Sequence, residues 1–228
     1  MTFSKLGLKE EISKVLFENS YINPTTIQER VIPLVLEKKD IIARAQTGSG
    51  KTASFVLPIL ELWSKQNYEG KPKIRALVLT PTRELALQVS YAFTQFSSNL
   101  EKKPKLVSII GGQSIGDQLL EIQKGCDIVV ATTGRLLDIL EKKQLNLNAL
   151  EFFVLDEADK MLDFGFEEEL DLLLSQIPKN RQNLLFSATY PIKVQNIISR
   201  ITKEAVEVFI KDETPTVKTI NQRVIEVN

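Results

Sequence analysis

The chain has 228 residues, with 29 basic and 29 acidic side chains, one cysteine and no histidine. Without histidine and with a single thiol, it has no Ser-His or Cys-His nucleophile pair, no intrachain disulfide, and no histidine or thiolate zinc site. The balanced charge excludes a strong overall attraction to nucleic acid, and the lack of a membrane-length apolar run or a signal-like N-terminus predicts a cytoplasmic protein without a membrane partner.

The N-terminal segment predicts two amphipathic helices before the first strand. Apolar residues recur at helical spacing through residues 8–19, which indicates the first helix. Asn23 and Pro24 indicate an N-cap followed by a first-turn proline, so a second helix is expected to begin at Pro24. The apolar face of this helix carries Ile27, Val31, Leu34 and Val35.

Short apolar runs then alternate with amphipathic stretches. The runs are apolar or β-branched throughout, which is typical of parallel strands covered on both faces. Because helical patterns lie between them, the sequence predicts an α/β fold in which a mostly parallel sheet carries helices on both faces. Such sheets bind ligands at the carboxyl ends of their strands. The predicted strands are residues 40–43, 76–80, 106–110, 128–131, 152–155, 184–187 and 205–209.

A phosphate-binding loop follows the first predicted strand. Between that strand and the next helical pattern lies the glycine-containing sequence that a P-loop needs. We expect Lys51 to bridge the β- and γ-phosphates of ATP and the Thr52 hydroxyl to ligate Mg²⁺. Ala45 replaces the usual first glycine, and a chance Gly-Ser-Gly turn is the alternative interpretation. The expected phosphate-binding residues are Gln46, Thr47, Gly48, Ser49, Gly50, Lys51 and Thr52.

Two acids follow the predicted strand at residues 152–155 directly. Asp156 and Glu157 are therefore expected at the carboxyl end of the sheet, where the P-loop also lies. We expect Asp156 to hold Mg²⁺ through water and Glu157 to orient and deprotonate the attacking water. Together with Lys51 they form the predicted catalytic set. Taken alone, the pair is equally compatible with a solvated acidic helix start.

The run Asp156-Glu157-Ala158-Asp159, together with the P-loop, resembles the DEAD-box RNA helicases. The resemblance covers residues 1–209 and implies a RecA-like P-loop NTPase domain that uses ATP and Mg²⁺. It also implies that Gln28 reads adenine through a bidentate amide contact and that Phe3 stacks on the adenine ring. Ser20 and Thr26 replace the glycine and proline that the family usually has near this glutamine, and a surface glutamine on a helix is the alternative.

Three turns that follow strands resemble the RNA-contacting motifs of the same family. The resemblance implies contacts mainly with the sugar-phosphate backbone of RNA, so base sequence should matter little. Taken singly, each turn is equally typical of an ordinary strand-to-helix connection, and Thr133 replaces the family's proline in the third. The expected RNA-binding residues are Pro81, Thr82, Arg83, Gly112, Thr132, Gly134 and Arg135.

Ser187 and Thr189, at and after the end of the strand at residues 184–187, resemble the family's coupling motif. The resemblance implies that their hydroxyls hydrogen-bond Asp159 and link the nucleotide state to closure of two domains. Without the resemblance, a serine and a threonine in this place indicate only a cap.

The C-terminal segment differs in character from the rest. Residues 210–228 are polar, contain Pro215 and end in a strand-like run, which predicts a linker and the start of a second RecA-like domain. Because the family's arginine finger belongs to that domain, we expect this chain, a monomer, to bind nucleotide but to be a poor ATPase. The expected parent is an ATP-dependent RNA helicase, and a DNA-acting P-loop motor or a non-unwinding ATP-gated RNA clamp are the alternatives.

Overall fold

The computed structural model describes residues 2–66, 68, 70–202 and 204–210. Residues 211–228, which hold nearly all of the predicted linker and second-domain start, lie outside the described residues. In the part that is described, no helix has the length and apolar character needed to cross a bilayer.

Within the described residues, seven strands form one sheet, and every strand pair in it is parallel. The strands are β1 (Ile41–Arg44), β2 (Ala76–Thr80), β3 (Leu106–Ile109), β4 (Ile128–Thr132), β5 (Phe152–Leu155), β6 (Gln182–Ser187) and β7 (Val206–Phe209). They lie side by side in the order β3-β4-β2-β5-β6-β1-β7. The prediction of a parallel α/β sheet is confirmed, with strand bounds that differ from the predicted ones by at most two residues.

Helices cover both faces of this sheet. Those on one face are α1 (Glu10–Glu18), α2 (Thr26–Leu36), α3 (Lys51–Ser64) and α4 (Arg83–Phe96), together with a 3-10 helix at Phe3–Leu6. Those on the other face are α5 (Ile115–Gln123), α6 (Thr133–Glu141), α7 (Ala158–Asp163), α8 (Glu167–Gln176) and α9 (Ile192–Ile201). Alternate residues of β2 enter the two cores: Val78 packs on the first face and Leu77 on the second. This double burial explains why the strands are continuously apolar.

The second helix begins at Thr26, so the predicted start at Pro24 is wrong. Thr25 is the N-cap, and its backbone N–H donates to Gln28 Oε1 at 2.9 Å. Threonine followed three residues later by glutamine forms a capping box, which satisfies the helix end better than an Asn-Pro start. With this start, Gln28 is the third residue of the helix.

The ends of the central strands are level with one another. Arg44 lies opposite Ser187, and Thr80 lies opposite Thr132. Leu155, the last residue of β5, is paired with Leu79. The loops that follow these strands therefore emerge from one edge of the sheet, which we call the carboxyl edge.

Candidate functional site

The loop between β1 and α3 has the backbone shape that a phosphate cradle needs. Gly48 and Gly50 are both left-handed, with φ values of 85° and 95°. Ser49 Oγ donates to the Gln46 carbonyl at 2.7 Å, which closes the turn. Because α3 begins at Lys51, the unpaired amides of its first turn face the same space.

Ala45 occupies the place of the usual first glycine without distorting this loop. It is buried, and its backbone N–H donates to the Ser187 carbonyl at 3.1 Å, which continues the β1–β6 pairing by one residue. Its φ is not in the left-handed region. Alanine therefore suffices at this position.

Gln28 is bound to the P-loop itself. Only 2% of the residue is exposed, and its Nε2 donates to the Gly50 carbonyl at 3.1 Å while Oε1 accepts from the Thr25 amide. A Cβ atom added to Gly50 would lie 2.5 Å from Gln28 Nε2. The glycine is thus required both for the backbone turn and for the close approach of the amide.

We expect Gly50→Ala to destabilise the domain more than Gly48→Ala does. Both residues are left-handed, so both substitutions carry a backbone cost of about 1–2 kcal/mol. Gly50→Ala also displaces the buried Gln28 amide, and loss of its hydrogen bonds adds about 1–3 kcal/mol. Gly48→Ala has no such extra cost, because nothing lies within 4 Å of a Cβ at that position. Urea unfolding of the two variants measures the difference, and equal losses would contradict the structural role of Gln28.

Phe3 lies in the short 3-10 helix before α1. It is 4% exposed and belongs to the core cluster that contains residues of α1 and α2. Phe3 is not among the residues that line the cavity beside the P-loop, and its stacking on adenine stays a prediction.

The P-loop and the two acids line one cavity of about 470 Å³. Lys51 is 7% exposed, and within the described residues its Nζ has no hydrogen-bond partner. A buried ammonium without an acceptor is costly unless a ligand supplies one, so this atom indicates an anion site. Gln46 and Ser49 belong to the loop but not to the cavity wall. The predicted residues in the wall are Gln28, Thr47, Gly48, Gly50, Lys51, Thr52, Asp156 and Glu157.

Asp156 is almost fully enclosed at the end of β5. Burial raises the pKa of its carboxyl from 3.8 to about 6, although the nearby Lys51 ammonium opposes this shift. The Glu157 backbone N–H donates to Asp156 Oδ1 at 3.0 Å, which fixes the carboxylate. A buried carboxylate held in this way is poised for a cation.

Glu157 is held in a strained conformation beside the P-loop. Its φ of 52° and ψ of 51° are left-handed, which is unusual for a side chain with a Cβ. Lys160 Nζ pairs with Oε2 at 2.9 Å, and Thr47 Oγ1 donates weakly to Oε1 at 3.5 Å. The bond to Glu157 raises the pKa of Lys160. These contacts aim the carboxylate at the cavity.

The donors around the cavity fit Mg²⁺ and a polyphosphate. Thr52 and Asp156 both line the cavity, and their hydroxyl and carboxylate oxygens are of the kind that Mg²⁺ prefers. Among the residues that the structure describes, no three His, Cys, Asp or Glu side chains form a metal site of their own.

Asp159 is joined directly to the loop after β6. Its Oδ2 accepts from the Thr189 backbone N–H at 2.8 Å and from Thr189 Oγ1 at 2.9 Å. Burial acts to raise the pKa of Asp159, but these hydrogen bonds outweigh it and hold the pKa below its ordinary value. Ser187 Oγ donates to the Thr189 carbonyl at 2.7 Å, so it supports this connection from the strand side.

The three turns predicted to face RNA meet at the carboxyl edge. Arg83, the first residue of α4, packs on the loop after β3, where a Cβ at Gly112 would overlap its guanidinium. Gly112 is left-handed, with φ of 77°. Arg135 Nη1 donates to the Gln113 carbonyl of the same loop at 3.0 Å. The loop after β3 therefore links the other two turns.

The remaining residues predicted for this edge also lie in these turns. Thr82 is the N-cap of α4 and accepts from the Leu85 amide at 3.2 Å. Thr132 is the N-cap of α6, whose first turn contains Gly134, exposed. Pro81 is buried beside Thr82.

Sequence reasoning missed two contributors to the site. Lys160 pairs with Glu157 across one turn of α7, and acid–lysine spacing of three residues was the available signal. Gln113 contributes a backbone carbonyl to Arg135, and a carbonyl contact leaves no mark in the side-chain pattern.

Comparison with known proteins identifies the family. Residues 25–197 match the family model described as DEAD/DEAH box helicase. The chain is 40% identical over 227 residues to the DEAD-box ATP-dependent RNA helicase CshA of Bacillus subtilis, covering 100% of this chain and 45% of that protein. It is 44% identical over 224 residues to the ATP-dependent RNA helicase DeaD of Escherichia coli, covering 97% of this chain and 34% of that protein.

A solved structure shares the fold. The crystal structure of a DEAD box protein from the hyperthermophile Methanococcus jannaschii matches with a TM-score of 0.85 and 38% identity, covering 92% of this chain and 56% of that chain. The sheet is therefore that of a RecA-like P-loop NTPase domain. The chain spans about half the length of these relatives or less. By sequence and by fold, the chain belongs to the DEAD/DEAH box helicase family.

Proposed function

We propose that this chain is the ATP-binding part of an ATP-dependent RNA helicase and acts as a monomer. The observation that carries the proposal is the single cavity in which Lys51, Asp156 and Glu157 meet. Lys51 supplies the cation for the β- and γ-phosphates, and the Gly48 and Gly50 turn supplies backbone amides. The names of the relatives support the same activity.

Adenine selection is assigned to Gln28. A side-chain amide has two N–H donors and two acceptor lone pairs. One donor is used on the Gly50 carbonyl and one lone pair on the Thr25 amide. The second N–H and the second lone pair remain for the N7 and N6 positions of adenine, so a bidentate contact is compatible with the link to the P-loop.

Glu157 is assigned as the base for hydrolysis. Its carboxylate orients the attacking water and accepts the proton as the water adds to the γ-phosphate. Lys160 and Thr47 hold the carboxylate in place. When bound through Thr52 and Asp156, Mg²⁺ supplies neutralisation of the phosphate charge.

RNA is assigned to the carboxyl edge, at the turns that contain Thr82, Gly112 and Arg135. Helix N-termini and close backbone approaches suit phosphate groups, so the contacts are with backbone and sugar. The hydrogen bond between Asp159 and Thr189 connects α7, which follows the two acids of the cavity, to the loop after β6. Through this connection, the presence of ATP or ADP would affect the position of a second domain.

The test compares RNA and DNA in full-length protein. We expect RNA to stimulate ATP turnover more strongly than DNA of the same sequence, because the 2′-hydroxyl distinguishes the two. A strand-displacement assay with ATP then separates a helicase from a clamp. Equal stimulation by DNA favours a DNA-acting motor, and RNA-stimulated turnover without displacement favours the clamp.

We expect the 228-residue chain alone to bind ATP weakly and to turn it over at least about 1000-fold more slowly than full-length protein with RNA. The reason is that the arginine finger and the remaining RNA contacts are assigned to a second domain. Equilibrium binding of a fluorescent ATP analogue and a phosphate-release assay measure the two quantities. Appreciable RNA-stimulated turnover by the chain alone would show this assignment to be wrong.

A further inference from the structure

A group of lysines gathers at the edge of the sheet opposite to the P-loop. Lys71 and Lys73 lie in the loop before β2, and Lys102, Lys103 and Lys105 lie in the loop before β3. We call these five residues the lysine cluster. Since both loops precede parallel strands, the cluster lies at the amino edge of the sheet. All five residues are exposed, and they line one small depression.

Asp127, which lines this depression, and Glu151, which contacts two of its lining residues, already have hydrogen-bond partners. Asp127 Oδ2 accepts from the Lys105 backbone N–H at 2.8 Å. Glu151 accepts from the Tyr68 hydroxyl at 3.1 Å and pairs with Arg75. Within the described residues, neither carboxylate forms an ion pair with a lysine of the cluster. The chain is neutral overall, so the cluster is a local excess of positive charge.

The two loops are also joined to each other. Lys102 Nζ donates to the Tyr68 carbonyl at 2.7 Å, and the Arg75 guanidinium lies 3.5 Å from the centre of the Tyr68 ring. The first contact joins the two loops, and the second holds the Tyr68 ring within the loop before β2. Neither uses the ammonium groups of Lys71, Lys73, Lys103 or Lys105. Lysines on two loops that are joined to each other need less ordering to bind one anion than lysines on independent loops do.

We propose that the lysine cluster binds the phosphate backbone of RNA that extends beyond the carboxyl edge. This inference rests on the proposed function, which brings RNA to Gly112. β3 is an edge strand, with Gly112 just after its carboxyl end and Lys105 at its start. Gly112 lies seven positions after Lys105, so the two are at most about 23 Å apart at roughly 3.3 Å per residue, a distance that about six or seven nucleotides cover at 3.4 Å each.

The physical character of the cluster favours RNA over an acidic protein. Stable protein interfaces depend on buried aromatic or aliphatic anchors. The large apolar side chains that are exposed among the described residues, such as Tyr91, Phe164 and Ile192, do not line this depression. Tyr68, the aromatic residue that lines the depression, is only partly exposed and already has Arg75 over its ring. Lysines around a ring that is already covered suit the sequence-independent contacts that phosphates make.

The experiment uses full-length protein and two RNAs. The short RNA fills only the carboxyl edge, and the extended RNA carries about ten further nucleotides on either side. The test variant is Lys71→Ala with Lys103→Ala, one change in each loop. The matched control is Lys14→Ala with Lys179→Ala, two exposed lysines outside the cluster.

For the extended RNA, we expect the test variant to lose affinity on the order of tenfold at 0.1 M salt. The slope of log K against log salt should fall by about 1.4, since each phosphate contact on a single strand contributes about 0.7. Affinity for the short RNA and the behaviour of the control variant should not change.

Two results would overturn the proposal while leaving the proposed function intact. One is equal affinity and salt slope of the test variant and the unchanged protein for the extended RNA. The other is a test variant that loses affinity for polyglutamate but keeps its affinity for the extended RNA. Failure of the unchanged protein to bind either RNA would overturn both the cluster and the proposed function.

Discussion

Replacing Glu157 by glutamine in full-length protein is expected to lower ATP turnover at least about 100-fold, with nucleotide binding retained. The carboxylate is the only acceptor assigned to take the proton from the attacking water, and an amide cannot accept it at neutral pH. Glutamine has nearly the same shape, so it keeps the backbone conformation at this strained position. Its carbonyl still accepts from Lys160 or Thr47.

Turnover with saturating RNA and equilibrium binding of an ATP analogue separate the two effects. Asp163→Asn is the matched control, because it removes one carboxylate from an exposed position of the same helix α7. A Glu157→Gln protein that retained a tenth or more of its turnover would show that another group activates the water. A parallel loss of nucleotide binding would instead indicate collapse of the cavity.

Much of the fold was predictable because its determinants are local. β2 and β5 have the predicted bounds, since residues buried on both faces must be continuously apolar. The P-loop was predictable for a related reason. Its strand, its turn and the start of α3 are consecutive in the chain, so one short segment contains the whole signal.

The unpredicted features depend on contacts between distant segments. Gln28 bonds to Gly50 across 22 residues, so the sequence gives its residue type but not its link to the P-loop. Phe3 is apolar enough for stacking or for burial, and its place in the core depends on packing with α1 and α2, which are separate segments of the chain. Arg83 lies against Gly112 because β3 and β2 are separated by β4 in the sheet, an order that local pattern does not specify.

Asp156→Asn should have two opposite effects on the isolated chain. It should abolish Mg²⁺-dependent nucleotide binding, because asparagine brings no negative charge to the ion. It should also raise the free energy of unfolding at pH 7 by about 3 kcal/mol, since a pKa shifted from 3.8 to about 6 corresponds to about 1.4 kcal/mol per unit. The pKa of about 6 is the net result of burial and of the attraction to Lys51. The loss of that attraction in Asp156→Asn is therefore already counted in the expected gain in the free energy of unfolding.

The pH dependence has a definite sign. With a folded-state pKa of about 6 and an ordinary value of 3.8, the folded chain binds more protons than the unfolded chain between these two values. The contribution of Asp156 to the free energy of unfolding is therefore least favourable above pH 6 and improves as the pH falls toward 4. Asp159 acts in the opposite direction, because its pKa is lowered in the fold. The contribution of Asp156 is therefore obtained from the difference in the free energy of unfolding between the unchanged chain and Asp156→Asn.

Urea unfolding of both proteins at several pH values measures this difference, with Asp163→Asn as the control for removal of an exposed carboxylate. The gain from Asp156→Asn should be largest at pH 7 and should shrink as the pH falls below 6, where the native carboxyl is already protonated. A gain that did not change with pH would trace the stabilisation to packing and not to charge. Such a result would mean that the fold does not oppose ionisation of the Asp156 carboxyl. The main electrostatic reason for placing a cation beside Asp156 would then be removed.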